Sequence, residues 1–342
     1  WARLEQPSHH VDARLVAGDV RLTMGGEPTF VSIDDMDGAE WTVAAIGPTK
    51  RKLAGQLLKR LRDRYAPNGF LHYSQGKWYP GESLPRWALS CYWRSDGLPL
   101  WHDPRWIADD ETPQGYGPEQ AQAFAVELTR RLGVSAERLV PGYEDVYYYL
   151  WKERTLPVNV DPLKYDLKDD EERRRLAVLL ERGLNQVTGY ALPLRWATGA
   201  DEGWRSGPWV LRREHLYLIP GDSPMGYRLP LAALPWVAET AREVPHPRSL
   251  FEFRAALGDT HGEVMRRYSE FLRGGPGASR GDFQEQSVAD DGSAIHTALC
   301  VEPREGHLYV FVPPLERLEH YLDLLACVEQ TAADLAMPVL VE

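Results

Sequence analysis

The chain contains 342 residues with a mass of 38.8 kDa, which is enough for about two domains of roughly 150 residues each. Hydrophobic residues account for 43% and charged residues for 26% of the sequence, which excludes collagen-like, disordered and disulfide-scaffold proteins. The formal net charge of -11 argues against a protein that binds nucleic acid through a basic surface.

The first predicted elements are two short strands joined by a bend. Residues 20–24 alternate between apolar and polar side chains, residues 25–28 interrupt the alternation with two glycines and a proline, and residues 30–33 resume it. An acidic segment, residues 34–38, follows. The pattern predicts a strand, a bulge or bend, and a strand end closed by carboxylates.

Residues 48–65 are predicted to form an amphipathic helix, because apolar and basic side chains recur on separate helical faces. A proline and a glycine that follow residue 65 predict its end. Seven basic side chains and one acidic side chain lie between residues 50 and 64, and we interpret them as the solvated face. The apolar side chains recur at helical spacing and are expected to face the core: Leu53, Leu57, Leu58, Leu61 and Tyr65.

The next elements alternate with loops rich in glycine and proline. A short strand is expected at residues 70–73, and a glycine-rich loop at residues 75–82 leads to an aromatic helix around residues 86–89. Residues 97–117 predict an irregular connection, and residues 118–132 predict a helix that ends at a glycine.

In the second half, residues 169–183 predict a helix, and residues 209–211 and 216–219 predict the two strands of a hairpin. Twelve of the twenty residues from 274 to 293 are Gly, Pro, Ser or Asp, which favours a flexible linker. We therefore expect an α+β region over residues 1–273, which holds all twelve tryptophans, and a separate unit after the linker.

Residues 294–342 predict a ββαβ unit, with strands at residues 295–301, 307–312 and 339–341. The fold class is therefore α+β, with a mixed, mostly antiparallel sheet and flanking helices. Because the chain starts on Trp1 and stops in an apolar run, we expect it to be a piece of a longer polypeptide whose last strand continues.

Three segments carry side chains suited to a metal or phosphate site. Glu27 follows two glycines and precedes a proline, which would hold a carboxylate rigidly beside open space, as Mg²⁺ requires. The simpler interpretation of this segment is an acidic turn that closes a strand.

The other two segments combine cations, carboxylates and exposed backbone N–H groups. Lys77 and Arg86 accompany Glu82, and Arg228 accompanies Asp222. Such a mixture suits a phosphate or a substrate carboxylate held near a metal ion, although each segment alone is also typical of a structural loop.

The three cysteines are too few and too scattered for a disulfide framework or a zinc cluster, which favours a reducing, cytoplasmic compartment. Cys91 could pair with His72 or His102 as a thiol nucleophile, but a small buried hydrophobic residue is the simpler interpretation. No apolar run approaches 18 residues, so no membrane contact is expected.

Five strings together resemble one bacterial family, an amidoligase domain of unknown function that follows a transglutaminase-like domain. The strings span most of the chain in order and are residues 19–35, 75–82, 156–162, 219–226 and 297–304. The resemblance implies kinship with carboxylate–amine ligases of the glutamine-synthetase-like fold, and this chain would be the N-terminal portion of the amidoligase family's domain. Such enzymes join a carboxylate to an amine through an acyl phosphate made from ATP, with Mg²⁺ bound by glutamates on an antiparallel sheet.

On this resemblance Glu27, Glu82 and Asp222 are the expected metal ligands. Lys77 and Arg228 are expected to neutralise phosphate or acyl-phosphate charge as catalytic residues, and both are expected to bind the nucleotide together with Arg86. Thr29 stands where relatives carry a second glutamate, so one ligand must come from elsewhere. The expected partners are a peptide or amino-acid substrate, the remaining domains of the polypeptide, and segments beyond Glu342 that complete the site.

The alternative hypothesis is a non-catalytic peptide- or partner-binding module built on aromatic anchors. Six such side chains fall within 29 residues: Trp78, Tyr79, Trp87, Trp93, Trp101 and Trp106. The two hypotheses differ in whether Glu27, Lys77, Asp222 and Arg228 converge on one pocket.

Overall fold

The computed structural model divides the chain into two compact units, Trp1–Lys50 and Arg51–Glu342. In the first unit only short helical pieces are described. The described residues are 10, 13–14, 16–17, 48–76, 87–145, 147–148, 151, 186–198, 202–211, 215–221, 223–233, 251, 253–254, 256–273 and 295–342.

The described helices and strands confirm the α+β class. The helices are α1 (Pro48–Tyr65), α2 (Pro118–Leu132), α3 (Thr260–Arg273) and α4 (Leu318–Leu335). The strands are β1 (Phe70–Gln75), β2 (Trp87–Tyr92), β3 (Val140–Tyr143), β4 (Val187–Pro193), β5 (Arg195–Ala197), β6 (Gly203–Arg205), β7 (Leu216–Tyr217), β8 (Ala298–Arg304), β9 (His307–Phe311) and β10 (Leu340–Val341).

A six-stranded sheet in the order β10-β9-β8-β4-β3-β7 forms the centre of the second unit. Its four central strands pair antiparallel, and β10 and β7 add a parallel pairing at each edge. The predicted ββαβ order of the last segment is confirmed, and its strand β8 pairs with β4, so one sheet contains strands from both sides of the predicted linker.

One face of the sheet packs against helices α2 and α4. Leu299 and Val301 of β8 alternate with residues of the other face and join Phe124 and Leu325 in the main hydrophobic cluster. Full burial of each such side chain contributes about 1.5–3 kcal/mol. Helix α2 forms as predicted because proline starts it and Gly133, in the left-handed conformation, ends it.

The opposite face of the sheet, called here the second face, packs against residues 216–231. Ala298, Cys300 and Phe311 form a second hydrophobic cluster with Met225 and other residues of that segment. A Cβ atom at residue 226 would lie 2.1 Å from the Phe311 ring, so the glycine at this position permits the close approach.

Strands β1 and β2 form an antiparallel pair, so the helix predicted around residues 86–89 is wrong. Tryptophan and tyrosine suit a pleated surface, and pairing with β1 provides the backbone hydrogen bonds that a local helix would have supplied. In this register His72 lies opposite Ser90 and Leu71 lies opposite Cys91. Because neighbouring residues of a strand point to opposite faces, His72 and Cys91 lie on different faces of the pair.

The burial of His72 makes the protein sensitive to acid. Its Nδ1 lies 3.1 Å from the hydroxyl of Tyr321 on α4, and burial lowers the pKa of His72 from 6.5 to about 4. Above pH 6.5 this histidine is neutral in both states; as the pH falls towards 4, the unfolded chain binds a proton that the folded chain does not.

We therefore expect the free energy of unfolding to fall by about 1–2 kcal/mol between pH 7 and pH 5 through His72 alone. Urea unfolding at the two pH values measures the loss. In His72→Gln, which does not titrate in this range, the loss should shrink by that amount. An equal loss in both proteins would show that another group is responsible.

Helix α1 has the predicted bounds, but its apolar side chains do not face the core. Leu53, Leu57, Leu61 and Tyr65 are between 44% and 58% exposed. One of the basic side chains, Lys59, packs on the protein instead and contacts Asp110 at 2.5 Å. The charged partner lies 51 residues away, so the helical pattern alone could not identify the buried face.

The predicted hairpin is also wrong. Residues 209–211 form no strand; the side chain of Trp209 is buried, and its indole N–H donates to the carbonyl of Ile295 at 2.8 Å. Strand β7 pairs in parallel with β3 instead. The strands predicted over residues 20–33, the helix over 169–183 and the linker over 274–293 lie outside the described residues. Among the helices that are described, none is long and apolar enough to cross a membrane.

Candidate functional site

Strand β8 begins as an apolar strand and ends as a charged one. Ala298 and Cys300 belong to the hydrophobic cluster on the second face of the sheet. Because side chains alternate along a strand, Glu302 and Arg304 continue the same row. The sheet therefore presents a carboxylate and a guanidinium beside its second hydrophobic cluster.

Arg304 connects two buried carboxylates. Its Nη2 donates to Oε2 of Glu342 at 2.5 Å, and its Nη1 lies 3.6 Å from Oε2 of Glu302. The same Glu302 oxygen accepts the backbone N–H of Met225 at 3.0 Å. The two glutamate side chains are only 5% and 2% exposed. We call Glu302, Arg304 and Glu342 the carboxylate–arginine cluster.

Aromatic rings and a second arginine extend this cluster along the second face. The Cζ atom of Arg304 lies 3.8 Å from the centre of the Tyr309 ring, and that of Arg51 lies 5.9 Å from the same centre. Arg51 also lies 4.4 Å from the ring centre of Tyr73, whose hydroxyl donates to Asp110 at 3.0 Å. Stacking on rings holds both guanidinium groups in fixed positions.

A short helical turn, Met225–Arg228, places a second ion pair near the cluster. Met225 begins the turn and binds Glu302, whereas Arg228 ends it and donates to Glu144 and, at 2.8 Å, to the carbonyl of Ile219. Both members of the Arg228–Glu144 pair are buried. One turn of chain therefore connects two buried carboxylates.

The charges in the cluster shift one another's pKa values. Burial raises the pKa of Glu342 to about 7, although Arg304 acts in the opposite direction and Glu302 adds to the increase. Burial acts to lower the pKa of Arg304, but Glu342 and Glu302 raise it above its ordinary value. Arg304 is therefore a fixed cation beside a carboxyl group that exchanges its proton near neutral pH.

The cluster has unused capacity for a cation. Oε1 of Glu342 is buried and has no hydrogen-bond partner among the described residues. Carboxylate oxygens are the ligands that Mg²⁺ prefers, and a buried oxygen without a partner is costly unless a ligand satisfies it. Glu302 and Glu342 therefore fit a hard divalent ion as part of its ligand set.

The described residues include one of the predicted site residues, Arg228. It lies in the buried ion pair with Glu144, beside the second hydrophobic cluster. The other predicted residues lie outside the described part of the chain: Glu27, Lys77, Glu82, Arg86 and Asp222. Their convergence on one pocket remains a prediction.

Sequence reasoning did not identify Glu144, Glu302, Arg304 or Glu342 as site residues. A signal was available for two of them: Glu302 and Arg304 continue the period-two row of Ala298 and Cys300 past the end of the strand predicted over residues 295–301. Charged side chains in the row that faces the protein interior are uncommon unless they are paired or functional.

Thiol chemistry has no support at the described cysteines. All three are free, and the pKa of each is raised, mainly by burial. The Cys91–His72 pair fails because the two residues lie on opposite faces of the β1–β2 pair. A nucleophilic thiolate requires a lowered pKa, so Cys91, Cys300 and Cys327 are structural residues.

A comparison with family models matches residues 1–342 to the family described as "Putative amidoligase enzyme (DUF2126)". The match covers the whole chain. Neither the curated proteins nor the solved structures contain a match.

Proposed function

The chain belongs to the family described as putative amidoligase enzymes, and we propose on that basis that it acts in an ATP- and Mg²⁺-dependent carboxylate–amine ligase for peptides or amino acids. The carboxylate–arginine cluster is the observation that carries the proposal. Two buried glutamates with a cation between them lie on one face of a mostly antiparallel sheet, the kind of surface on which ligases of the glutamine-synthetase-like fold bind Mg²⁺.

The cluster contains the side-chain types that such a reaction needs. In the implied reaction, phosphoryl transfer from ATP activates the carboxylate and releases ADP, and attack of the amine then forms the amide and releases phosphate and a proton. Glu302 and Glu342 would hold the Mg²⁺, which neutralises phosphate charge when bound. Arg304 and Arg51, held against aromatic rings, would balance the negative charge of the transferred group.

The residues outside the described part of the chain retain their proposed roles. Glu27, Glu82 and Asp222 remain proposed metal ligands, and Lys77 and Arg86 remain proposed nucleotide-binding residues. Arg228 is proposed to support the carboxylate–arginine cluster, because the turn that it ends also binds Glu302 through Met225.

Nucleotide binding can be tested without knowing the substrate. We expect ATP with Mg²⁺ to raise the midpoint of thermal unfolding by several degrees, because at one hundred times Kd a ligand contributes about 2.7 kcal/mol. ATP with EDTA should give little or no shift. Equal shifts with and without Mg²⁺, or no shift at millimolar ATP, would contradict the proposed Mg²⁺–nucleotide site.

The binding-module alternative is not favoured. Trp101 is buried and stacks on Phe70 with ring centres 5.6 Å apart, and Trp106 packs against the main hydrophobic cluster. Trp93 is 60% exposed, but Trp78 and Tyr79 lie outside the described residues. Core packing therefore accounts for the indoles of Trp101 and Trp106 without a partner.

The cysteines support a proposal on location. All three are free thiols, and Cys300 and Cys327 are buried in hydrophobic clusters. Free buried thiols suit a reducing compartment, so we propose that the protein works in the cytoplasm.

A further inference from the structure

Two histidines and a glutamate meet on the side of the sheet that faces the helices. His102 lies in the loop after β2, His261 in the first turn of α3, and Glu329 in the middle of α4. One ligand atom from each side chain lies within 4.8 Å of the other two. Helix α4 packs on the face opposite the carboxylate–arginine cluster, so this group is separate from the proposed ligase site.

Glu329 is buried, and its two carboxylate oxygens have different surroundings. Its side chain is 1% exposed, and Oε1 accepts the backbone N–H groups of His102 at 2.8 Å and Asp103 at 2.7 Å. Oε2 has no hydrogen bond within the described part of the chain. It lies 3.6 Å from Nδ1 of His102 and 3.8 Å from Nε2 of His261. A buried carboxylate oxygen without a partner costs free energy unless a ligand binds it.

The spacing suits a tetrahedral metal ion. Bonds of about 2.0–2.2 Å place ligand atoms roughly 3.3–3.6 Å apart in that geometry. The two separations from Oε2 lie close to this range. The imidazole rings, whose centres are 3.9 Å apart, would have to move apart by about 1 Å for both nitrogens to face one ion. The side-chain amide of Gln330 lies 2.8 Å from Nε2 of His261 and would have to move aside.

A cavity of about 420 Å³ adjoins the two histidines. His102 and His261 line it, together with Arg94, Asp96, Asp259 and Thr260. A metal ion held by three protein ligands would therefore have a path for entry and space for a water molecule or a small ligand at the fourth position.

We propose that His102, His261 and Glu329 bind a divalent transition-metal ion of the Zn²⁺ class, with an open coordination position towards this cavity. A set of two imidazoles and one carboxylate binds Zn²⁺ in preference to Mg²⁺, because Mg²⁺ favours oxygen ligands alone. The site does not depend on the ligase proposal, because none of its residues belongs to the carboxylate–arginine cluster.

The test is titration of the metal-free protein with Zn²⁺ by calorimetry, with Co²⁺ absorption to report tetrahedral geometry. We expect one ion per chain and a loss of affinity of at least about 100-fold in His102→Ala and Glu329→Gln, since even removal of a supporting residue costs 10–100-fold. Glu329→Gln retains an oxygen for the two backbone N–H groups, so the fold should survive. His10→Ala, at an exposed histidine elsewhere, should bind as the unmodified protein does.

Two results would overturn the proposal: no binding at 100-fold molar excess of Zn²⁺, or unchanged affinity in both cluster variants. Circular dichroism of each variant distinguishes a lost ligand from a lost fold. If His102→Ala unfolds, Glu329→Gln decides the outcome. A failure here leaves the Mg²⁺–ATP thermal shift unaffected, so the two proposals can be rejected separately.

Discussion

Replacing Arg304 with methionine is expected to lower the free energy of unfolding by about 3–5 kcal/mol, because it leaves Glu302 and Glu342 as buried carboxylates without their cation. Methionine has a similar length and retains contact with the Tyr309 ring. Urea unfolding at pH 8, above the pKa of about 7 that Glu342 has in the unmodified protein, measures the loss.

Two controls separate charge from packing at this position. Arg304→Lys keeps the cation but cannot reach both carboxylates with a planar fork, so an intermediate loss is expected. The triple variant with Glu302→Gln and Glu342→Gln removes the unpaired charges and should recover much of the stability. A loss below about 1 kcal/mol in Arg304→Met would mean that the carboxylates are satisfied by other groups.

Replacing Glu302 with glutamine is expected to reduce ligase turnover by at least about 100-fold, the scale reached when one electrostatic contact to the transition state is removed. Glutamine retains an oxygen to accept the backbone N–H of Met225, so the fold should persist. Initial rates of ADP formation measure the loss, and Glu316→Gln, at an exposed position, is the matched control. An unchanged rate in Glu302→Gln would remove this residue from the catalytic site.

Local sequence patterns predict the secondary structure of a segment correctly where residues close in sequence determine that structure. Helix α2 has a proline at its start, a glycine at its end and an apolar stripe, and β8 and β9 are joined by a tight turn. These features depend on residues a few positions apart, so they can be predicted without knowledge of the fold.

Long-range contacts explain the wrong predictions. Strand β2 pairs with β1 along its whole length, and Lys59 of α1 contacts Asp110 in a distant turn. Both segments have compositions compatible with more than one local structure. Tertiary contacts decide between these structures, and the sequence pattern contains no information about them.

The candidate site was difficult to predict for the same reason. The loop around Arg228 indicates a site, but the carboxylate partner of Arg228, Glu144, lies 84 residues away. Glu302 and Met225 are 77 residues apart, and Glu329 binds the N–H of His102 across 227 residues. A charged side chain can be identified as a candidate site residue only when its burial is known, and burial depends on how the sheet and helices pack together.

ADP and amide formation in one reaction mixture test the proposed ligase most directly. The protein is incubated with ATP, Mg²⁺ and pools of amino acids and short peptides, and both products are quantified by mass spectrometry. We predict ADP and a new amide in equal amounts, both dependent on Mg²⁺ and both lost in Glu302→Gln but retained in Glu316→Gln. ADP without amide, or equal product formation in the two variants, would contradict a ligase site at the carboxylate–arginine cluster.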